Sequence, residues 1–210
     1  MSKKDTKNKE VEVKAEVPAV VSGPIKLDLG CGKNKVAPDF IAVDSLDFPG
    51  VDLVLDLTEK ESSVQNADYS VTHVYKKWPW DDNSVDEVHA SHFMEHLKAD
   101  ERVHFINELY RILKPGCSAK IIVPHWASCR AYGDMTHAWP PVSEFFFYYL
   151  SKEWRDVNAP HNTAYNCNFV ATWGYSMNQA LLTKHQEHQS YALANFKEAA
   201  QDIIATLTKA

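Results

Sequence analysis

Leu27-Asp28-Leu29-Gly30-Cys31-Gly32 decides the reading of this chain. The segment closes a short apolar run that begins at Ile25. Its two glycines permit a sharp turn with positive φ and let a ligand approach the backbone without striking a Cβ. Two more runs follow, Phe40-Ile41-Ala42-Val43-Asp44 and VDLVLDL (51–57), each dense in Val, Ile or Leu and each carrying an acid at or near its tip. Near-continuous apolar runs of this length are the pattern of strands buried on both faces. Past a polar insertion at about 58–77, SVDEVHAS (84–91) gives a fourth strand and CSAKIIVP (117–124) a fifth. Between those two, residues 92–113 carry Phe93, Leu97, Phe105, Ile106, Leu109, Ile112 and Leu113 at helical spacing, with Lys114-Pro115-Gly116 as the stop. NFVATWGY (168–175) alternates like a strand, 177 to about 200 reads as a helix, and DIIATLT (202–208) is β-branched enough for a last strand. Strands alternating with helical connections predict an α/β fold with a parallel sheet and helices on its faces; the seven candidate strands are read as a Rossmann-like, doubly wound, seven-stranded sheet, mostly parallel with the last strand antiparallel.

The composition fits one such domain. With 210 residues, 45% of them hydrophobic and 11% aromatic, the chain has ample material for a core, which excludes global disorder and a disulfide-stapled miniprotein. The formal net charge of −6 argues against sequence-blind binding to a nucleic-acid backbone or an anionic membrane. Cys31, Cys117, Cys129 and Cys167 form no CxxC pair, so free thiols in a reducing cytoplasm are expected. No apolar run reaches the ~18 residues of a membrane span, and the mixed-charge start lacks the apolar core of a secretory signal. Residues 1–22, rich in Lys and Glu without an apolar period, read as a disordered tail. Residues 23–210 read as the domain, with the aromatic segment 125–150 as a cap on the substrate side.

Asp44 gives the glycine turn its chemical meaning. An acid at the tip of the second strand can accept hydrogen bonds from both hydroxyls of a ribose, and in a doubly wound sheet the carboxyl-end crevice is where nucleotide-like ligands bind. Asp56, closing the third run, is placed to hold the polar edge of a base. The turn lacks the third glycine of the GxGxxG dinucleotide fingerprint, and Lys33-Asn34-Lys35 stand in its place, so pyrophosphate binding does not follow.

These segments together resemble the class I S-adenosylmethionine-dependent methyltransferases, over Leu27 to about Pro124. LDLGCG resembles that family's first motif, IAVD its ribose acid and VLDL its base-binding position. WPWDDNSVDEVHASHFMEHL and LYRILKPGCSAKIIVP are similar to its fourth- and fifth-strand blocks. The resemblance implies S-adenosylmethionine as cofactor, with Asp28, Gly30 and Gly32 around its methionine part, Asp44 on the ribose, Asp56 and Leu57 by the adenine, and His92 facing the pocket. Neither the Asn/Asp-Pro-Pro-Tyr/Phe tetrapeptide of amino-methylating nucleic-acid enzymes nor a Pro-Cys nucleophile is present. A small-molecule or glycan acceptor is therefore expected rather than nucleic acid. A DxTH loop before an aromatic helix resembles small bacterial and phage methyltransferases.

On the acceptor side, His125, Asp134 and His137 lie after the fifth strand, where loops border the crevice. Methyl transfer from a sulfonium needs chiefly in-line positioning of the nucleophile and removal of its proton. A histidine, with its ordinary pKa near about 6.5, suits that removal. His137 is the expected base, with Asp134 to orient it and His125 beside it. His92, Glu95 and His96 stand as His-Phe-Met-Glu-His, not His-Glu-x-x-His, so no metal is expected. Two other readings stay open. One is an oxidoreductase binding NAD or a nucleotide sugar, which Asp44 allows but the missing glycine and absent Tyr-x-x-x-Lys pair oppose. The other is a non-catalytic subunit that binds S-adenosylmethionine.

Overall fold

A computed structural model describes residues 23–68 and 70–210; the expected tail at 1–22 lies outside them. Seven strands form one sheet: β1 (Lys26–Leu29), β2 (Ile41–Asp44), β3 (Leu53–Val54), β6 (Val85–Ser91), β7 (Leu113–Pro124), β8 (Phe169–Met177) and β9 (Ala200–Lys209). Their order is β3-β2-β1-β6-β7-β9-β8. Pairing is parallel from β3 across to β7, while β9 is antiparallel to both β7 and β8. The last strand alone therefore runs against the other six, as the sequence predicts. The order reverses at β1, which lies between β2 and β6, so the carboxyl ends of β1 and β6 flank the switch-point crevice where such sheets take ligands.

Leu27 and Leu29 of β1, Val43 of β2, Val85 and Val88 of β6, and Ile121 and Val123 of β7 are fully buried and form the centre of the core. Helix α1 (Ala99–Ile112) lays Phe105, Ile106, Leu109 and Ile112 against them, all fully buried. Its Arg111 ties the Trp78–Asp82 block to the helix, bonding Trp78 O, Trp80 O and Asp82 while pairing with Glu108. Trp78 and Trp80 are buried in the core.

The connections depart from expectation in four places. The helix expected from residue 92 starts at 99: His92 sits at φ 54, Met94–His96 make one 3-10 turn, and Glu101 accepts the Lys98 amide at 2.8 Å to begin the helix proper. The eleven residues between β1 and β2, and the eight between β2 and β3, contain no helix. The polar insertion is a separate antiparallel hairpin of β4 (Lys60–Gln65) and β5 (Val71–Tyr75). Its Tyr75 hydroxyl donates to Asp100 at 2.6 Å and its ring stacks on His104. The stretch read as one helix from 177 to 200 is two, α5 (Gln179–Leu182) and α6 (Gln186–Asn195), separated where the Gln189 amide donates to the carbonyls of Leu181 and Lys184.

Residues 125–150 leave the end of β7 as a loop that carries α2 (Arg130–Gly133) and then α3 (Glu144–Tyr148), followed by α4 (Lys152–Asn158). Phe147 of α3 is buried and stacks on Trp173 of β8, so this segment is joined to the sheet by an aromatic contact.

Candidate active site

The two glycines after β1 do different work. Gly30, at φ 66, donates its amide to Val43 O at 2.8 Å, and a Cβ there would lie 2.2 Å from the Phe93 ring. Its bare backbone makes room for Phe93, which packs on Phe105. Gly32, at φ 56, has nothing within 4 Å of where its Cβ would be, and donates its amide to Asp44 Oδ2 at 2.8 Å. Asp44 Oδ1 accepts the Leu46 amide at 3.0 Å. A carboxylate has about four lone-pair positions; these two amides use one on each oxygen. The half-buried Asp44 thus keeps acceptor capacity on both oxygens, beside the open face of Gly32.

Asp28 is placed below this loop rather than in it. It stands opposite His89 in the β1–β6 register, meets His89 Nδ1 at 2.8 Å and accepts the Val36 amide at 2.8 Å. At 2% exposure its carboxylate is committed to holding the 30–36 turn onto the sheet. Burial, then the carboxylates of Asp28 and Asp44, push the Cys31 thiol up to about 11, so it is protonated at neutral pH and serves as a spacer. Past β3, the exposed Asp56 accepts the Thr58 amide and hydroxyl, both at 2.8 Å, and closes a turn. The Leu57 side chain is buried in the core, and its carbonyl accepts the Trp78 indole N–H at 3.0 Å.

His92 lies at the tip of β6. Its amide donates to Ile122 O, and its ring stands between Glu95 Oε1 at 3.1 Å and Asp202 Oδ1 at 3.9 Å. The Glu95 hydrogen bond raises the His92 pKa above its ordinary value against the opposing effect of burial. Arg130 holds Asp202 from the other side through both oxygens.

The expected trio of His125, Asp134 and His137 is separated. His125 is 1% exposed; its Nδ1 accepts the Ala127 amide at 3.1 Å, so its Nε2 carries the proton and donates to Glu144 Oε1 at 2.9 Å. With both ring nitrogens engaged, it has no lone pair to offer an acceptor. Only the backbone carbonyl of Asp134 meets His137, accepting its amide at 3.2 Å, while the Asp134 carboxylate accepts the Thr136 amide and hydroxyl rather than the His137 ring. Those bonds hold its carboxyl below the usual range. The Thr136 hydroxyl in turn meets His96 Nδ1 at 3.0 Å, so Asp134 orients His96 through Thr136. His137 instead bonds the Ala131 carbonyl through Nδ1 at 3.2 Å and stands edge-on to the His96 ring.

Arg102, Thr136, Glu144 and Asp202 shape this region without having been singled out from the sequence, and Phe93, expected only on a helical stripe, fills the space beside Gly30. The signal for Arg102 was a charged residue beside the apolar stripe of α1: it is 5% exposed and bonds the carbonyls of Met94, Glu95, Ala138 and Pro140. Nearby, a cavity of about 630 Å³ opens between the loop after β7 and the turn before β9, with Trp126, Tyr132, Leu193 and Phe196 among its walls.

Residues 27–119 match the family model of a methyltransferase domain. A solved S-adenosylmethionine-dependent methyltransferase from Archaeoglobus fulgidus superposes with a TM-score of 0.52 at 17% identity, over 90% of this chain and 87% of the other. The chain has the class I S-adenosylmethionine-dependent methyltransferase fold. A methyltransferase of Haloferax volcanii, solved with the Trm112 methyltransferase activator, is 16% identical over 91% of this chain and 84% of its own, with a TM-score of 0.49. A Methanosarcina mazei protein of the same description is 13% identical over 90% and 94%, with a TM-score of 0.46. The sequence matches no curated protein. Among the described residues, no helix of this methyltransferase-fold chain is long and apolar enough to cross a membrane.

Proposed function

We propose that this protein is a methyltransferase that uses S-adenosylmethionine and acts on a small-molecule or glycan acceptor held against the 125–150 segment. The observation that carries the reading is the pairing of Gly32 and Asp44: an open backbone face beside a carboxylate with acceptor capacity on both oxygens. In this reading Asp44 receives the ribose hydroxyls, the Gly30–Gly32 turn lies along the methionine part, and Asp28 fixes the turn from beneath. Asp56 and the backbone around Leu57 lie toward the adenine, and His92 borders the pocket from β6. The bound cofactor supplies a methyl group on a sulfonium, already a good leaving group.

The protein's contribution is then to orient the acceptor and to manage its proton. His137 is the acceptor-side group of the expected trio with a ring nitrogen outside its hydrogen bond to Ala131. His125 acts at a distance, by holding Glu144, which also accepts the Trp126 indole N–H at 3.1 Å in the wall of the 630 Å³ cavity. The aromatic walls of that cavity suit a planar or sugar-like acceptor. Cys31, Cys117, Cys129 and Cys167 are free, which fits the cytoplasm.

The test is transfer of a labelled methyl group into fractionated cell extract by the full chain. Label in a low-mass fraction supports the reading. Label confined to nucleic acid overturns the acceptor class, and no transfer to any fraction contradicts the enzymatic reading.

A further inference from the structure

Glu95, His96 and His137 each bring one ligand atom to within 4.8 Å of the others. Glu95 is 5% exposed, and while its Oε1 meets His92 Nδ1, its buried Oε2 has no hydrogen-bond partner among the described residues. A buried carboxylate oxygen without a donor is a costly arrangement unless a cation meets it.

The hydrogen bonds around the two histidines fix their tautomers. The Ala131 carbonyl can only accept, so His137 Nδ1 carries the proton and Nε2 the lone pair. The Thr136 hydroxyl donates to Asp134 Oδ1 at 2.7 Å and therefore accepts from His96 Nδ1, which leaves the lone pair of His96 on Nε2 as well. Metal-binding histidines are oriented in this way, with the far N–H given to a carbonyl, a carboxylate or a group tied to one. The backbone is stapled to match. Ala138 donates to Glu95 O at 2.8 Å, and Arg102 bridges the carbonyls of Met94 and Glu95 to those of Ala138 and Pro140. Ligand atoms about 2.1 Å from a tetrahedral ion stand about 3.4 Å apart, so groups that lie within 4.8 Å of one another close on one ion by side-chain rotation.

We infer that Glu95, His96 and His137 form a site for one divalent first-row transition-metal ion, with Thr136, Asp134 and the Ala131 carbonyl as its orienting shell. Two imidazoles and a carboxylate suit zinc, cobalt, iron or manganese better than magnesium or calcium. Three protein ligands leave a coordination position open, where a water or an acceptor hydroxyl becomes more acidic. The site gives His137 and Asp134 roles other than base and orienter. It also departs from the metal-free expectation, which rested on a pattern requiring one helix; here the ligands come from a 3-10 turn and a separate loop.

Titration of the chelator-stripped full chain with Zn²⁺ by calorimetry, and with Co²⁺ by absorption spectroscopy, tests this without any cofactor or acceptor. One ion per chain is expected, with Co²⁺ bands of a four- or five-coordinate site. Glu95→Gln and His137→Gln should each lower the affinity by about tenfold or more. Thr136→Val, an exposed position outside the ligand set, should lower it about 10- to 100-fold, while His188→Gln, at an exposed position on α6, leaves it unchanged. Failure of the unaltered chain to bind one ion overturns the site, even if a variant does not fold. Binding that Glu95→Gln, His137→Gln and Thr136→Val all leave unchanged overturns it too, because the ion then sits elsewhere.

Discussion

The Gly32 amide donates to Asp44 Oδ2 at 2.8 Å, so the carboxylate placed to hold a ribose also shapes the turn beside it. In this fold a helix N-terminus can supply that anchoring; here the eleven residues from β1 to β2 contain no helix. The carboxylates of Asp44 and Asp28 take over the task.

Gly30 and Gly32 should therefore respond differently to alanine. Gly30→Ala combines a φ of 66° with a Cβ 2.2 Å from the Phe93 ring, and should lose about 2–4 kcal/mol of stability in urea denaturation. Gly32→Ala meets open space and carries only the backbone strain, about 1–2 kcal/mol. Equal losses would contradict the separate roles assigned to the two positions.

Asp28→Ala leaves the half-buried His89 ring and the Val36 amide without their acceptor, and should destabilise the fold by about 2–4 kcal/mol. Asp28→Asn keeps an acceptor oxygen and should lose less. A chemical-denaturation series that finds Asp28→Ala within about 0.5 kcal/mol of the parent would contradict the anchoring role.

Much of the fold was legible because its central strands carry short, dense runs of Leu, Val and Ile bounded by turn residues: Leu27, Leu29, Val43, Val88 and Ile121 are all fully buried. The hairpin at 60–75 was not legible, since KESSVQ is exposed throughout and is defined by pairing rather than by an apolar pattern. The early helix start at 92 was an error of the same origin. Phe93 and Leu97 kept the helical spacing, but His92 at φ 54 turns the chain there, a conformation that is rare outside glycine and that apolar spacing does not report. Motif spacing singled out Gly32 and Asp44, which a 2.8 Å hydrogen bond joins. Which partners Asp134 and His125 would choose depended on Thr136 and Glu144, two and nineteen residues away, and on tertiary contacts that spacing does not encode.

Glu144 supplies a pH test. Burial pushes its carboxyl up, but the hydrogen bond from His125, together with its backbone bond and the Tyr175 hydroxyl, more than offsets this and holds it below its ordinary 4.5. A depressed folded value means that the contribution to stability is present above the unfolded value of about 4.5 and fades as pH falls through the folded one. The difference in unfolding free energy between the parent and Glu144→Gln should therefore shrink between about pH 5 and 3. A difference constant over that window would contradict the assignment.

Removing the Arg102 guanidinium frees four carbonyls and unties residues 94–95 from 138–140. Arg102→Ala should lose about 2–4 kcal/mol and speed hydrogen exchange at the Ala138 amide, which is bonded to Glu95 O. Unchanged exchange at that amide would show that the two segments are held by other means.

The most direct test of the central claim is calorimetric titration of the full chain with S-adenosylhomocysteine and, separately, with NAD, for the parent and for Asp44→Ala. The account predicts binding of S-adenosylhomocysteine in preference to NAD, weakened about tenfold or more by Asp44→Ala through the loss of hydrogen bonds to a charged acceptor. Tighter binding of NAD, or S-adenosylhomocysteine affinity that Asp44→Ala leaves unchanged, would contradict it.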